Sequence, residues 1–176
     1  MVRQADPSRP IMLNGFLPTT LAGQLSQWWQ TRDQGDSLTI AQRLADIVGI
    51  DYYPRSALTA LGALTLYLDG TRSPWPRGRR KDLFIRARER GQKLMISEGW
   101  AEPWEAVTLP PNPTGRGMFS CPPEQVVATY NAWMGWAPED TPLYAYLFWG
   151  AEYWMLRQQT GDSRYLRAFA RILEQP

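Results

Sequence analysis

The sequence contains no histidine and only one cysteine, Cys121. The absence of histidine excludes Ser-His-Asp and Cys-His nucleophile systems as well as histidine metal sites. A single cysteine cannot form a disulfide within the chain, and it does not indicate a cellular compartment. Acid–base chemistry must therefore fall to carboxylates, tyrosine or lysine. We expect no cofactor and no metal ion.

The chain also lacks a strong net charge and any long apolar run. Its formal charge of +2 is too small to favour nucleic acid or an anionic membrane as a partner. The densest basic group, residues 77–81 (RGRRK), is short, and no known nucleic-acid module surrounds it. The N-terminus has no signal-peptide core, and the apolar runs are too short to span a bilayer. We predict a soluble protein, cytoplasmic as given, with neither nucleic acid nor a membrane as partner.

Aromatic residues, in contrast, are abundant. The 176 residues include nine tryptophans, eight tyrosines and five phenylalanines. Flat aromatic faces pack against the apolar C–H faces of sugar rings, so tryptophan-rich clefts are common in carbohydrate-binding proteins. Tryptophan can equally fill core space. Composition alone leaves both explanations open.

The order of apolar runs predicts a single domain, residues 1–176, built from four βα units. The predicted strands are residues 10–16, 47–53, 93–98 and 143–149. Helical patterns follow them at residues 37–45, 79–90, 122–134 and 165–173. Residues 17–35 read as a polar, aromatic connection, and residues 56–77 as an excursion or a short hairpin arm. Such an alternation predicts an α/β fold with a parallel sheet and its helices outside.

Three of these strands end in polar or aromatic residues. The endings are residues 51–53 (DYY), 98–100 (EGW) and 149–152 (WGAE). Parallel sheets hold their sites at the carboxyl ends of the strands, so these side chains are candidates for chemistry. Glu98 is either a catalytic carboxylate or a solvated acid that serves as an ion-pair partner, and spacing alone favours neither.

Three segments carry a resemblance to a known family. Residues 48–54 (VGIDYYP), 94–104 (LMISEGWAEPW) and 146–154 (YLFWGAEYW) occur in the order they have in cellulase-like glycoside hydrolases of clan A. They resemble the ends of the sixth, seventh and eighth barrel strands, and residues 6–10 resemble the approach to the fifth. The resemblance implies that the chain is the parallel (βα)4 C-terminal half of a TIM-type (β/α)8 barrel, incomplete as a single chain.

The resemblance also implies roles for individual residues. Glu98 matches the nucleophile of a retaining enzyme, and Trp149 matches the aromatic platform beneath the sugar ring. Tyr52 or Tyr53 would hydrogen-bond to Glu98 while the other packs, since adjacent strand residues face opposite ways. Weaker candidates for contacts with an oligosaccharide or glycoside substrate are Trp100, Trp104, Glu102 and Asn14, with Glu105 and Glu152 weaker again.

The second carboxyl of a retaining site is missing from the sequence. It must lie about 5–5.5 Å from the nucleophile to protonate the leaving oxygen. In clan A it is a glutamate that follows asparagine on the fourth strand, and no Asn-Glu pair occurs here. Asp51 is a poor substitute, because the sixth strand is a close neighbour of the seventh and not the opposite wall. We therefore expect the isolated chain to have little or no activity.

Several alternatives stay open at this point. The chain is a fragment, one subunit of a split enzyme completed by an N-terminal half-barrel, or a half that pairs with a second copy of itself. Residues 3–6 resemble the tail of a preceding helix, which favours the fragment. The alternative function is a non-catalytic carbohydrate-binding or scaffold protein derived from such an enzyme. A third possibility is an unrelated α/β protein whose aromatics all lie in the core.

Overall fold

The computed structural model describes residues 2–31, 35–61, 64–71, 76–103 and 120–175. The helices are α1 Val2–Ala5, α2 Leu21–Thr31, α3 Ser37–Leu44, α4 Pro76–Arg90, α5 Pro123–Trp136, α6 Ala151–Gln159 and α7 Arg164–Leu173. The strands are β1 Met12–Phe16, β2 Ile47–Tyr52, β3 Arg55–Leu61, β4 Leu64–Asp69, β5 Lys93–Trp100 and β6 Ala145–Trp149.

Four of the strands form one parallel sheet in the order β1-β2-β5-β6. The predicted α/β fold with a parallel sheet is therefore confirmed, and all four predicted strands belong to that sheet. Their order along the sheet follows their order along the chain, once the β3–β4 arm is set aside. Right-handed crossovers that always step in the same direction produce this order, and they lay their helices on one face of the sheet.

Outside the sheet, the structure distinguishes between the alternatives for one segment and differs from the prediction in another. Of the two possibilities left open for residues 56–77, an excursion or a short hairpin arm, the structure contains the hairpin, with β3 antiparallel to β4. The predicted connection at residues 17–35 instead contains α2. Leu21, Leu25 and Trp28 recur at helical spacing in its sequence, which was a usable signal, but all three side chains are exposed in the structure. The C-terminal part holds α6 as well as the predicted helix α7. Gly161 separates the two, in the left-handed conformation at φ +87°.

The core lies between the sheet and its helices. Val48, Ile50 and Tyr52 alternate along β2 and point to this side, as the two-residue period of a strand requires. The remaining buried members of this first cluster are Leu17, Leu38, Ala41, Ala45, Leu83, Phe84, Ala87, Leu94, Ile96 and Trp133. A second cluster joins the end of β5 to α5, α6 and α7, with Trp100, Ala101, Cys121, Val126, Tyr153, Trp154, Tyr165 and Ile172 buried. Core filling thus accounts for Trp100, Trp133 and Trp154.

The sheet carries exposed apolar side chains at both of its outer strands. Met12 on β1 is 41% exposed, and Leu147 and Trp149 on β6 are 50% and 44% exposed. These three residues alternate with side chains that pack against the cores, such as Leu13 and Phe148. On the face of the sheet that points away from the helices, the two outer strands β1 and β6 therefore carry apolar side chains.

Asp36 links three helices. It is the N-cap of α3, where its carboxylate accepts hydrogen bonds from the Leu38 amide at 3.3 Å and the Thr39 hydroxyl at 3.0 Å. It also accepts a hydrogen bond from Gln27 of α2 at 3.2 Å and forms an ion pair with Arg79 of α4. A cap satisfies amides that the first turn of a helix leaves unpaired. This carboxylate therefore ties the arrangement of α2 and α4 to the start of α3.

We expect Asp36→Ala to lower the free energy of unfolding by about 1–2 kcal/mol, because both the cap and a half-buried ion pair are lost. Asp36→Asn keeps a capping oxygen but removes the charge, so its effect should be smaller. Urea denaturation of the two variants and the wild type measures both effects. Equal destabilisation by Asn and Ala would show that the cap contributes nothing.

Candidate functional site

A hydrogen bond joins two predicted site residues at the carboxyl edge of the sheet. The Tyr53 hydroxyl donates to Oε2 of Glu98 at 2.7 Å. Tyr53 directly follows β2, and Glu98 lies in β5 opposite Asp51, where the pairing shifts register and leaves Ser97 as an additional residue. Such irregularities redirect side chains next to sites. Of the two tyrosines predicted as partners of Glu98, Tyr53 makes the bond and Tyr52 packs.

The environment of Tyr53 keeps its hydroxyl protonated. Burial raises the pKa of Tyr53 well above its ordinary value, and the hydrogen bond to Glu98 raises it further. The negative charges of Asp51 and Glu102 act in the same direction. A phenol with a raised pKa stays protonated and therefore keeps donating its hydrogen bond to the carboxylate. Glu98 is therefore held in one orientation, half-buried at the edge of the sheet.

A polar cluster spans three strands beside this pair. The Asn14 side-chain amide donates to both oxygens of Asp51, at 3.1 and 2.9 Å, and the Ser97 hydroxyl donates to Oδ1 at 2.8 Å. The amide that was predicted to contact substrate is thus engaged by Asp51. Ser97 was not predicted as a site residue, although its position next to Glu98 in a strand was a usable signal.

Gly49 provides the space for this cluster. A Cβ atom built at Gly49 lies 2.6 Å from Oγ of Ser97 and 3.0 Å from Cβ of Asn14, closer than side-chain atoms approach one another. Any larger residue would push these two donors away from Asp51. This close packing explains why position 49 is a glycine in this fold.

Trp149 lies at the end of β6, the strand next to β5. Its side chain is 44% exposed, and its backbone is in register with Trp100. The indole is thus an accessible aromatic surface at the same edge of the sheet as Glu98. Flat exposed indoles are suited to the apolar faces of sugar rings.

Burial corrects two of the predicted substrate contacts. Tyr52 is 2% exposed and packs edge-to-face against Trp133, with ring centroids 5.2 Å apart. Trp100 is 1% exposed and belongs to the second core cluster, where its carbonyl lies 3.7 Å from the Cys121 sulfur. Neither side chain presents a surface to a ligand, because each points to the helical side of the sheet or into the adjoining core.

Glu102 lies against the turn that starts α6. A Cβ atom at Gly150 would be 2.4 Å from Cδ of Glu102, and Gly150 itself has φ +87°. Glu102 therefore reaches the residue after Trp149, and its charge acts on Tyr53. Glu152 lies in the first turn of α6 and is exposed, where the helix dipole favours a carboxylate. Trp104 and Glu105 lie outside the described residues.

Comparison with known proteins does not extend the resemblance. The chain matches no protein-family model, no curated protein and no solved structure. Within the described ranges, no helix is both long and apolar enough to cross a membrane. The part of the chain that the structure describes contains no group of three or more cysteine, aspartate or glutamate residues arranged to hold a metal ion. The relation to clan A stays a prediction carried by three motifs.

We expect Gly49→Ala to destabilise the protein by about 1–3 kcal/mol, because the added methyl group overpacks the contact with Ser97 and Asn14. Gly49→Ala/Ser97→Ala should recover part of that loss, since the closest atom, Oγ of Ser97, is then absent. Chemical denaturation of both variants and of Ser97→Ala alone provides the comparison. Additive losses in the double variant would contradict the proposed clash.

The pKa of Tyr53 predicts a specific alkaline behaviour. Because its pKa is higher in the folded than in the unfolded state, its contribution to stability is complete below about pH 10 and is lost as the pH rises further. The Tyr53→Phe variant should therefore lose stability less steeply in alkali than the wild type. The difference in tyrosinate absorbance between the two proteins, followed together with circular dichroism, measures this. Ionisation of Tyr53 in its ordinary range while the protein stays folded would contradict it.

Proposed function

We propose that the carboxyl edge of this sheet is one half of a retaining glycoside hydrolase site for β-linked saccharides, with Glu98 as the nucleophile. The observation that carries the proposal is the 2.7 Å hydrogen bond from Tyr53 to Oε2 of Glu98. It orients the carboxylate at an edge where the exposed indole of Trp149 ends the neighbouring strand. A nucleophile reacts faster when it is held in the orientation of attack. An exposed aromatic ring can pack against the apolar face of a sugar.

The chemistry of this site proceeds in two displacements. The free oxygen of the Glu98 carboxylate attacks the anomeric carbon, an ester to the sugar forms, and the glycosidic C–O bond breaks. The leaving oxygen takes a proton from a general acid. Water then attacks the same carbon, loses a proton to the conjugate base of that acid, and releases Glu98. Tyr53 keeps the carboxylate in place, and Trp149 packs against the sugar ring.

The general acid is proposed to come from another half-barrel. Among the described residues Asp51 and Glu102 are the other carboxyl groups near Tyr53, and both oxygens of Asp51 already accept hydrogen bonds. The four parallel strands in chain order support a (βα)4 half of a TIM-type barrel. Closure with an N-terminal half or with a second copy would cover the exposed side chains of Met12 and Leu147.

One observation favours the alternative of a non-catalytic saccharide-binding protein. Both oxygens of the Asp51 carboxylate accept hydrogen bonds from Asn14 and Ser97, so this group holds three strands together at the edge of the sheet and is not a free second carboxyl beside Glu98. In that case Trp149 binds the saccharide and Glu98 is one more polar contact. The two functions differ in whether the Glu98 carboxylate is needed: a hydrolase requires it for turnover, whereas a binding protein keeps its affinity for the saccharide without it.

The full chain is tested alone and mixed with a separately produced half-barrel that supplies strands one to four and an Asn-Glu acid, using an aryl β-glycoside. We expect no turnover from the chain alone and turnover from the mixture. Glu98→Gln should reduce that turnover on the order of 10³-fold or more, because the covalent step is lost. Glu139→Gln, at an exposed carboxyl in the connection between α5 and β6, is the matched control and should leave the rate unchanged.

Turnover that survives Glu98→Gln would overturn the assignment of the nucleophile. Saccharide binding by the chain alone, measured by calorimetry, separates the two functions. Binding that is lost in Trp149→Ala and kept in Glu98→Gln, with no hydrolysis in any mixture, would establish the non-catalytic alternative.

A further inference from the structure

A basic groove lies on the helical side of the molecule, between α4 and the end of α5. Its volume is about 660 Å³. The residues of α4 that line it include four cations, Arg77, Arg80, Lys81 and Arg88. Trp136 and Asp140 line the opposite side. The short basic run at residues 77–81 thus contributes to a concave surface and not to a flat one.

Most of the positive charge in this groove is uncompensated. Arg88 is paired with Asp140 at 2.8 Å, and Arg79, which lies outside the groove, is paired with Asp36. In the part of the chain that the structure describes, no carboxylate lies within ion-pair distance of Arg77, Arg80 or Lys81. Three like charges within little more than one turn of a helix repel each other, and a bound anion offsets this repulsion.

Arg80 is the fixed element of the groove. Only 7% of it is exposed, and its guanidinium lies 3.6 Å from the centroid of the Trp136 ring. Burial and the neighbouring charge of Arg77 lower the pKa of Arg80, while the Tyr52 hydroxyl opposes that shift. A buried cation without a counter-charge is destabilising, and a stacked guanidinium is a preoriented fork for oxyanions.

We infer that this groove binds the phosphate or sulfate group of a small ligand. Arg80 donates to the anion from a fixed position, and Arg77 and Lys81 neutralise it from the exposed side. A doubly charged tetrahedral group matches several converging cations better than a singly charged carboxylate does. The Arg88–Asp140 pair bounds the groove, so the free positive charge is confined to a small length that suits a compact ligand and not a long polyanion.

The groove is independent of the Glu98 edge. Arg80 acts on Tyr52, whereas Glu98 is bound by Tyr53, and these consecutive residues have side chains on opposite faces of the sheet. The inference therefore does not rest on the proposed hydrolase function. It depends only on the charged residues around Trp136.

The test is a calorimetric titration of the full chain with inorganic phosphate, with sulfate and with a hexose monophosphate, at constant ionic strength set by chloride. We expect saturable binding of one equivalent. Arg77→Gln/Lys81→Gln should weaken it about tenfold or more, because two charges next to the anion are removed. Arg43→Gln/Arg86→Gln changes the net charge equally at exposed positions outside the groove and should alter affinity less than about twofold.

Three results would overturn the inference. The first is the absence of saturable binding, and the second is equal weakening of binding by both double variants. The third is binding of duplex DNA with an affinity that increases with DNA length and depends on Arg77 and Lys81. Thermal unfolding of each variant shows whether it is folded, since Arg77 and Lys81 are exposed and their replacement should leave the core intact. Arg80→Lys, which keeps the charge and loses the fork, should weaken binding in the same folded background.

Discussion

The alternation of side chains along β2 is the constraint on which the rest of this molecule depends. Val48, Ile50 and Tyr52 point into the core beneath the helices, so Gly49 and Asp51 must point to the other face of the sheet. A shift of one residue in register would place an aspartate in the core and three apolar side chains outside it. The buried face therefore fixes which residues can form a site at all.

The polar face follows from that constraint together with close packing. Parallel pairing brings Asn14, Asp51 and Ser97 from three strands into one hydrogen-bonded group, and only a glycine at position 49 leaves room for it. Next to this group, the register shift in β5 turns Glu98 toward Tyr53. In this arrangement the Asp51 carboxylate holds neighbouring strands together, and the Glu98 carboxylate lies at the carboxyl edge of the sheet. Two acids on neighbouring strands thus have different environments, because Asp51 accepts hydrogen bonds from Asn14 and Ser97 whereas Glu98 accepts one from Tyr53.

The two faces of the sheet also separate two kinds of electrostatic environment. Acidic groups gather around Tyr53 on one side, and their charges raise its pKa. Arginines gather around Trp136 on the other side, where burial and Arg77 lower the pKa of Arg80. The small net charge of the chain conceals this division, because opposite charges that a sheet keeps apart cancel in the sum but not in space.

The sequence by itself determined the α/β class, the four parallel strands and the position of Glu98 toward the carboxyl end of a strand, because the apolar period is a local signal. The position of α2 was not predicted, although Leu21, Leu25 and Trp28 have helical spacing, and the sequence did not determine which aromatics lie in the core. Only the tertiary structure decided that Tyr53 and not Tyr52 meets Glu98, that Trp100 is buried while Trp149 is exposed, and that the arginines of α4 surround Trp136. These outcomes depend on register, on the direction of each side chain and on which helix covers which strand, and residues far apart in the chain set all three.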